Sequence, residues 1–402
     1  MTSSYHLEDR GKCNKNTCAN ARNVPKLRFK GYTYNYDKIP LKNISTRIKR
    51  VNSDSTAPIM MISANCGFIM QSEKYSRDNA GKSLTKYTII HKGELAYNHG
   101  ASKAKPYGCC FQIDVDEARI PYVYHCFKID KNNYAPYIAL YLNNKLLERE
   151  LRKLVSSSVR MDGLLNISYE DYTNIKLNLP RYEEQKKIAS FLTLIDKKIE
   201  KQKELVELLK KYKRGLLSAI FSQKLRFKDD SGNNYPAWEE KRLENILKIK
   251  HGKSQKEIEC NNGEYPILAT GGEIGRTNSY LWDKPCVLIG RKGTIDKPQY
   301  MDTPFWTVDT LFYSEVFKEN NAKYLYYLFN TINWKKYDES TGVPSLSAKT
   351  IERIKVTLSI NYSEQLAISK ILSKFDDKIQ QEEFMLKKLQ NYKKGLLQQM
   401  FI

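Results

Sequence analysis

Glu184-Gln185-Lys186-Lys187-Ile188-Ala189-Ser190-Phe191-Leu192 returns as Glu364-Gln365-Leu366-Ala367-Ile368-Ser369-Lys370-Ile371-Leu372, an offset of 180 residues (364 − 184). The offset holds onward through Asp196 and Asp376, Ile199 and Ile379, and Leu209 and Leu389. It closes on Tyr212-Lys213-Arg214-Gly215-Leu216-Leu217, answered by Tyr392-Lys393-Lys394-Gly395-Leu396-Leu397, and on Phe221, answered by Phe401. Register kept over such a span marks an internal repeat, and a repeat fixes the architecture before any single element does.

Within each copy the seam positions advance by four and three. Ile188, Leu192, Ile195, Ile199, Gln202, Val206 and Leu209 form the first series; Ile368, Leu372, Phe375, Ile379, Glu382, Leu386 and Leu389 form the second. This is the heptad spacing of a coiled coil, in which apolar residues every 3.5 positions face a partner helix. Two helices are expected, over 182–222 and 361–402, each about 50–60 Å long at 1.5 Å per residue. One polar residue interrupts each seam, Gln202 and Glu382. Antiparallel packing sets the two interruptions face to face, where a polar layer trades stability for register.

The segments ahead of the helices, 24–181 and 223–360, repeat more loosely. Lys26-Leu27-Arg28-Phe29-Lys30 recurs unchanged as Lys224-Leu225-Arg226-Phe227-Lys228. Tyr36 and Leu41 have counterparts in Trp238 and Leu243, and Ile175-Lys176-Leu177 in Ile354-Lys355-Val356. His91-Lys92-Gly93 parallels Arg291-Lys292-Gly293 at an offset of 200 (291 − 91). Short β-type runs at 87–90, 122–129, 286–289 and 310–313 are punctuated by Gly, Pro and Asn. Apolar residues at helical spacing predict a helix over 136–155, with a partner over 322–334. The order is unit, long helix, unit, long helix, preceded by a polar, flexible tail over 1–23. Cys13 and Cys18 in that tail have no second close Cys or His pair, so a plain tail is preferred to a zinc site.

Lys and Arg total 67 against 45 Asp and Glu, a formal charge of +22 and a pI near 9.4. Such an excess repels itself unless a polyanion offsets it, which makes nucleic acid the leading partner. The first residues lack the apolar run of a signal peptide, and no apolar stretch is long enough to span a membrane. Eight scattered cysteines, with Cys109 and Cys110 adjacent, are unlike the framework of a small secreted protein and point to a reducing cytoplasm.

Together the paired Glu-Gln openings, the Tyr-Lys-(Arg or Lys)-Gly-Leu-Leu closings, Pro266-Ile267-Leu268, Arg291-Lys292-Gly293-Thr294, Pro304-Phe305-Trp306 and Asp309-Thr310 resemble the specificity subunits of type I restriction-modification systems. The resemblance runs from about Val24 to Ile402. It implies an α+β protein with two pseudo-repeated α/β target-recognition domains separated by two long antiparallel coiled-coil helices. Each domain would read half of a bipartite DNA site. It further implies two modification subunits using S-adenosylmethionine, and restriction subunits using ATP and Mg. The first domain lacks the Arg-Lys-Gly-Thr pattern of the second, a departure expected of units that see different half-sites.

A protein holding duplex DNA needs cations for phosphates, hydrogen-bonding side chains for base edges, and glycine where backbone approaches closely. In the first unit Lys82, Lys86, Lys92, Tyr97, Asn98, His99, Ser102 and Lys103 supply this mixture, with Lys105 beside them and Arg160 in a Ser-rich stretch. In the second, Thr270, Gly271, Arg276, Thr277, Asn278 and Tyr280 form one polar loop, and Arg291, Lys292 and Lys297 another. Trp282, Trp306 and Tyr313 are assigned to packing.

No catalytic motif accompanies these residues. Gly81-Lys82-Ser83 and Gly252-Lys253-Ser254 resemble the end of a P-loop, but Ser76 and Leu247 stand where its first glycine belongs. Gly271-Gly272-Glu273-Ile274-Gly275 reads as a tight turn rather than a dinucleotide fingerprint. The expected chain is therefore a non-catalytic, DNA-binding subunit with no cofactor or metal of its own. Two other classes compete: a self-sufficient DNA methyltransferase or nuclease, and a coiled-coil adaptor whose basic units bind RNA or protein.

Overall fold

The chain divides inside its two long helices. One unit comprises Met1–Lys201 with Leu386–Ile402, and the other Gln202–Met385. The computed structural model describes residues 7–9, 23–74, 81–155 and 165–402, and of 7–9, 81 and 82 the backbone alone. The helices run unbroken over Tyr182–Phe221 and Tyr362–Gln399, so each gives one half to each unit. The sequence boundaries separate units from helices, whereas packing joins each unit to two helix halves.

In the first unit a four-stranded antiparallel sheet is built from β1 (Ser45–Arg47), β2 (Leu95–Asn98), β3 (Cys109–Gln112) and β4 (His125–Ile129), in spatial order β1-β4-β2-β3. Helix α1 (Ala135–Leu142) covers it, opening on Pro136, whose missing N–H is harmless in a first turn. The helix expected over 136–155 is broken. The Asn143 side chain accepts from Cys110 N at 3.1 Å, and Asn144 accepts from Leu146 N at 3.1 Å to cap a short 3-10 turn. The chain resumes as a helix over Glu148–Leu154.

Helix α2 (Tyr182–Phe221) is pinned to this unit by the Glu-Gln pair. Glu184 is 1% exposed, and Arg28 meets both its carboxylate oxygens at 2.7 Å, a bidentate geometry that suits a buried charge. Tyr36 donates to the same carboxylate at 3.2 Å. Gln185 accepts from Tyr134 N at 2.8 Å and donates to Pro180 O at 2.8 Å, tying the start of α2 to the start of α1. Ile188, Leu192, Ile195 and Ile199 are buried, with Leu386 and Leu389 packed against their cluster. The helix end Leu396-Leu397 leads into Phe401, whose ring stacks on Tyr137 at 5.2 Å, and Lys393 pairs with Asp196.

The second unit repeats this plan. Among its strands are β5 (Leu247–Lys250), β6 (Tyr265–Ala269), β7 (Gly272–Thr277), β8 (Cys286–Gly290), β9 (Gln299–Met301) and β10 (Leu311–Val316). The four-stranded sheet runs β5-β10-β8-β9, the same first-fourth-second-third order as in the first unit. The antiparallel pair β6-β7 forms a separate hairpin, joined by the short strand Trp306–Thr307 parallel to β6. Helix α3 (Ala322–Phe329) is capped by Asn321, which accepts from Tyr324 N at 2.9 Å.

Helix α4 (Tyr362–Gln399) enters as α2 does. Buried Glu364 receives Arg226 Nε at 3.0 Å, Trp238 Nε1 at 3.0 Å and Ser359 Oγ at 2.6 Å. Gln365 accepts from Asn321 N at 2.7 Å and donates to Ser359 O at 2.8 Å. The end of α2 docks here through Phe221, 5.4 Å from the Tyr324 ring. Lys213 pairs with Asp376, the same pair as Asp196 and Lys393 with the helices exchanged. Val206, Ile368 and Leu372 are buried, while Leu209 and Ile379 are half-buried. Phe375 packs on the Tyr212 ring at 5.3 Å. The two seam interruptions meet: Gln202 Nε2 donates to Glu382 Oε2 at 2.6 Å and to Glu382 O at 3.1 Å. The helices are therefore antiparallel, aligned on that polar layer.

Most of the expected tail, 1–23, and with it Cys13 and Cys18, lies outside the described residues. Within it Leu7–Asp9 forms a strand paired antiparallel with Leu27–Phe29, which departs from a wholly flexible tail. Among the described residues no helix is long and apolar enough to cross a membrane.

Candidate nucleic-acid interface

Two loops of the second unit come together at one end of its sheet. The hairpin turn Thr270-Gly271 leads into Gly272, whose φ of +112° suits glycine alone, and Gly271 is exposed. Arg291-Lys292-Gly293 leaves the end of β8, with Gly293 at φ +85°. Arg291 N donates to Thr310 O at 2.8 Å, Gly293 N to Pro344 O at 2.8 Å, and Leu346 N to Arg291 O at 2.9 Å. The Gln299 side chain bridges the loops by donating to Ala269 O at 3.3 Å and Thr270 O at 3.4 Å. A Cβ on Gly293 would lie 3.9 Å from Thr270 Oγ1. Lys292 and Lys297 are exposed, and the half-buried Arg291 donates to Asp309 O at 3.3 Å.

Arg276, Asn278 and Tyr280 lie towards the other end of β7. Arg276 donates to Glu273 Oε1 at 3.0 Å and to Glu264 O at 3.2 Å, and Asn278 Oδ1 accepts from Glu264 N at 3.2 Å. Both steady the hairpin base while staying exposed. Tyr280, 50% exposed, meets Tyr265 edge-on at 5.3 Å. Thr277 is a correction: it is fully buried, and its hydroxyl accepts from Ser279 N at 3.1 Å, so it faces the fold.

Two first-unit candidates are corrected in the same way. Tyr97 points into the core, stacked on Tyr172 with centroids 3.8 Å apart, and donates to Tyr107 O at 2.6 Å; burial pushes its hydroxyl pKa well up. His99 is buried, with Nδ1 2.8 Å from Leu165 O and Nε2 2.9 Å from Val123 O. Both belong to the run that carries β2 through the core, where both faces of the strand are covered and Leu95, Ala96 and Tyr97 are all buried. Asn98 is half-buried and accepts from Gly100 N at 2.9 Å. Lys86, Lys92, Ser102 and Lys103 are exposed, with Lys92 only loosely paired to Asp116 at 3.9 Å. Lys105 donates to Asn143 O at 2.9 Å, and burial lowers its pKa. The side chain of Lys82 and all of Arg160 lie outside the described residues.

The parallel between His91-Lys92-Gly93 and Arg291-Lys292-Gly293 does not survive in space. The first triplet precedes β2, whereas the second follows β8, the strand equivalent to β2. The topological counterpart of Arg291 is the stretch leaving β2, Asn98-His99-Gly100. The Gly-Lys-Ser triplets also have structural explanations. Gly81 opens a 3-10 turn, and a Cβ on Gly252 would lie 2.1 Å from Val308 O, so that glycine permits a close approach of two backbone segments. Trp306 Nε1 donates to Lys253 O at 2.9 Å, and Tyr313 is buried, in keeping with packing roles.

Sequence reading passed over a basic groove of about 540 Å³ in the first unit, lined by Arg47, Lys49, Arg50 and Lys128 with His91 and Glu94. Its signal was the Arg47-Ile48-Lys49-Arg50 run at the end of an edge strand. Arg47 pairs with Glu170 at 3.0 Å and lies over the Tyr169 ring at 4.3 Å, whereas Lys49 and Lys128 are exposed.

A duplicated α/β unit with basic, glycine-punctuated loops, braced by paired long helices, is the build of a nucleic-acid-binding protein. The chain belongs to the type I restriction modification DNA specificity domain family, whose model matches residues 71–210 and 236–391. As a type I specificity subunit, it serves in DNA target recognition. It is 24% identical over 353 residues to the putative type I restriction enzyme MjaX specificity subunit of Methanocaldococcus jannaschii, covering 80% of each chain. It is 31% identical over 139 residues to the MjaVIII specificity subunit of the same organism, a match spanning 33% of this chain and 32% of that protein. The fold is shared with the crystal structure of the type I restriction-modification S subunit from M. genitalium, at a TM-score of 0.62 and 18% identity, covering 94% of this chain and 99% of that one.

Proposed function

We propose that this chain recognises a bipartite DNA target, one half-site per unit, and directs methylation and restriction by partner subunits without performing chemistry itself. The observation that carries this reading is that the two units share one sheet order and one Glu-Gln anchor yet send unlike loops from equivalent strands: Asn98-His99-Gly100 from β2 and Arg291-Lys292-Gly293 from β8. A common scaffold with different loops is what two different half-sites require. The proposed contacts are Lys86, Lys92, Asn98, Ser102 and Lys103 in the first unit. In the second they are Thr270, Gly271, Arg276, Asn278, Tyr280, Arg291, Lys292 and Lys297.

The partners in this reading are two modification subunits, which bring S-adenosylmethionine, and restriction subunits, which bring ATP and Mg. Exposed apolar residues on the helices support a docking role: Leu208 and Tyr212 on α2, and Phe384 and Met385 on α4, in the second unit. Such residues gain from a protein partner what water denies them.

Arg291→Ala tests the DNA contact. A guanidinium paired two-pronged with guanine contributes about 1–3 kcal/mol. The variant is expected to lose that much affinity for the cognate duplex at fixed salt while keeping its circular dichroism spectrum. Unchanged affinity removes Arg291 from the interface.

A further inference from the structure

The hairpin strand β7 carries a β-bulge. Ile267 pairs with Gly275 but Leu268 pairs with Glu273, so Ile274 is one residue in excess, with no partner on β6. A bulge of this kind re-aims the extra side chain and recurs next to functional sites. Here it presents an isoleucine that is 50% exposed, three residues from the exposed turn glycine Gly271. The charged groups nearest it in the strand, Glu273 and Arg276, are joined at 3.0 Å. The fold gains little from an apolar side chain held in water there.

We infer that Ile274 is a specificity-determining residue that contacts the C5 methyl of a thymine in the half-site read by the second unit. A two-stranded ribbon fits the major groove, about 12 Å wide. The thymine methyl is the apolar group that base edges display in that groove, among hydrogen-bond donors and acceptors. Beside it in the strand the Glu273 carboxylate can accept from cytosine N4, and the Arg276 guanidinium can donate to guanine. A bulged isoleucine between them completes a surface able to tell thymine from cytosine. The inference rests on the DNA-facing reading of this hairpin given above.

The test uses the full chain and duplexes carrying its methylated motif, with each thymine of the second half-site replaced in turn by deoxyuridine, which removes only the methyl. The wild-type chain is expected to lose about three- to ten-fold in affinity at one position, the scale of one buried methyl group. Ile274→Ala is expected to bind the thymine and uracil duplexes equally, and Ile274→Val to keep part of the discrimination. Wild-type affinity indifferent to every substitution overturns the inference while leaving DNA recognition standing, as does an Ile274→Ala chain that still discriminates. A variant unchanged on DNA but weakened in assembly with modification subunits also overturns it, assigning Ile274 to a protein interface. A wild-type chain with no preference for its motif over scrambled duplex defeats the underlying reading, and this inference with it.

Discussion

Arg28→Met is expected to lower stability by about 3–5 kcal/mol, because it leaves the Glu184 carboxylate buried with one neutral donor, Tyr36, in place of a bidentate guanidinium. A buried charge stripped of its partner keeps its desolvation cost and loses the compensation. Replacing both residues, Arg28→Met with Glu184→Met, is expected to recover most of the loss, since apolar side chains of similar volume remove that cost altogether. Urea unfolding followed by far-ultraviolet circular dichroism measures both. All four tryptophans, Trp238, Trp282, Trp306 and Trp334, belong to the second unit. Tryptophan fluorescence therefore follows that unit alone, and its transition should move less than the dichroism. A single variant as stable as wild type would show that the repeated Glu-Arg pair is not an anchor.

Phe401→Ala should cost a comparable amount, about 3–5 kcal/mol, the range for truncating a core aromatic. The ring is 2% exposed, stacked on Tyr137 and edge-on to Tyr141 at 5.6 Å. Although Phe401 closes the second repeat, it packs in the first unit. The loss is therefore expected in the dichroism rather than in tryptophan fluorescence. Its counterpart Phe221, partly buried against Trp238 and Tyr324, is expected to cost less on truncation and to move the fluorescence instead. A fluorescence shift in Phe401→Ala equal to that in Phe221→Ala would contradict the exchange of helix ends between units.

These residues show what the sequence made legible. The heptad seam, the Glu-Gln openings and the Phe221 and Phe401 closings were readable because each repeats under one constraint: a helix that must bury one stripe and fix both its ends. The matching of Tyr36 with Trp238 was also visible, and both donate to the repeated glutamate. Loop positions were less legible. Tyr97, His99 and Thr277 share the composition of their exposed neighbours, and only strand register separates inward from outward residues. The apolar face over 136–155 gave no sign that Asn143 would bind backbone across at Cys110 and stop the helix. The triplets at 91–93 and 291–293 look alike but stand at opposite ends of equivalent strands, a distinction that depends on sheet order. The stretch Gly271-Gly272-Glu273-Ile274-Gly275 reads as a tight turn, whereas only Thr270-Gly271 turns and Gly272–Thr277 is a strand; the bulge that sets Ile274 apart is a property of pairing.

The most direct test of two unlike reading units is to map methylated positions in cells that express this chain with its modification subunits, before and after residues 243–354 are exchanged for those of another family member. The expected map is a split motif, two different half-sites separated by a fixed unread spacer, of which the exchange alters one half and leaves the other half and the spacer unchanged. A single continuous motif, or an exchange that alters both halves together, would contradict it.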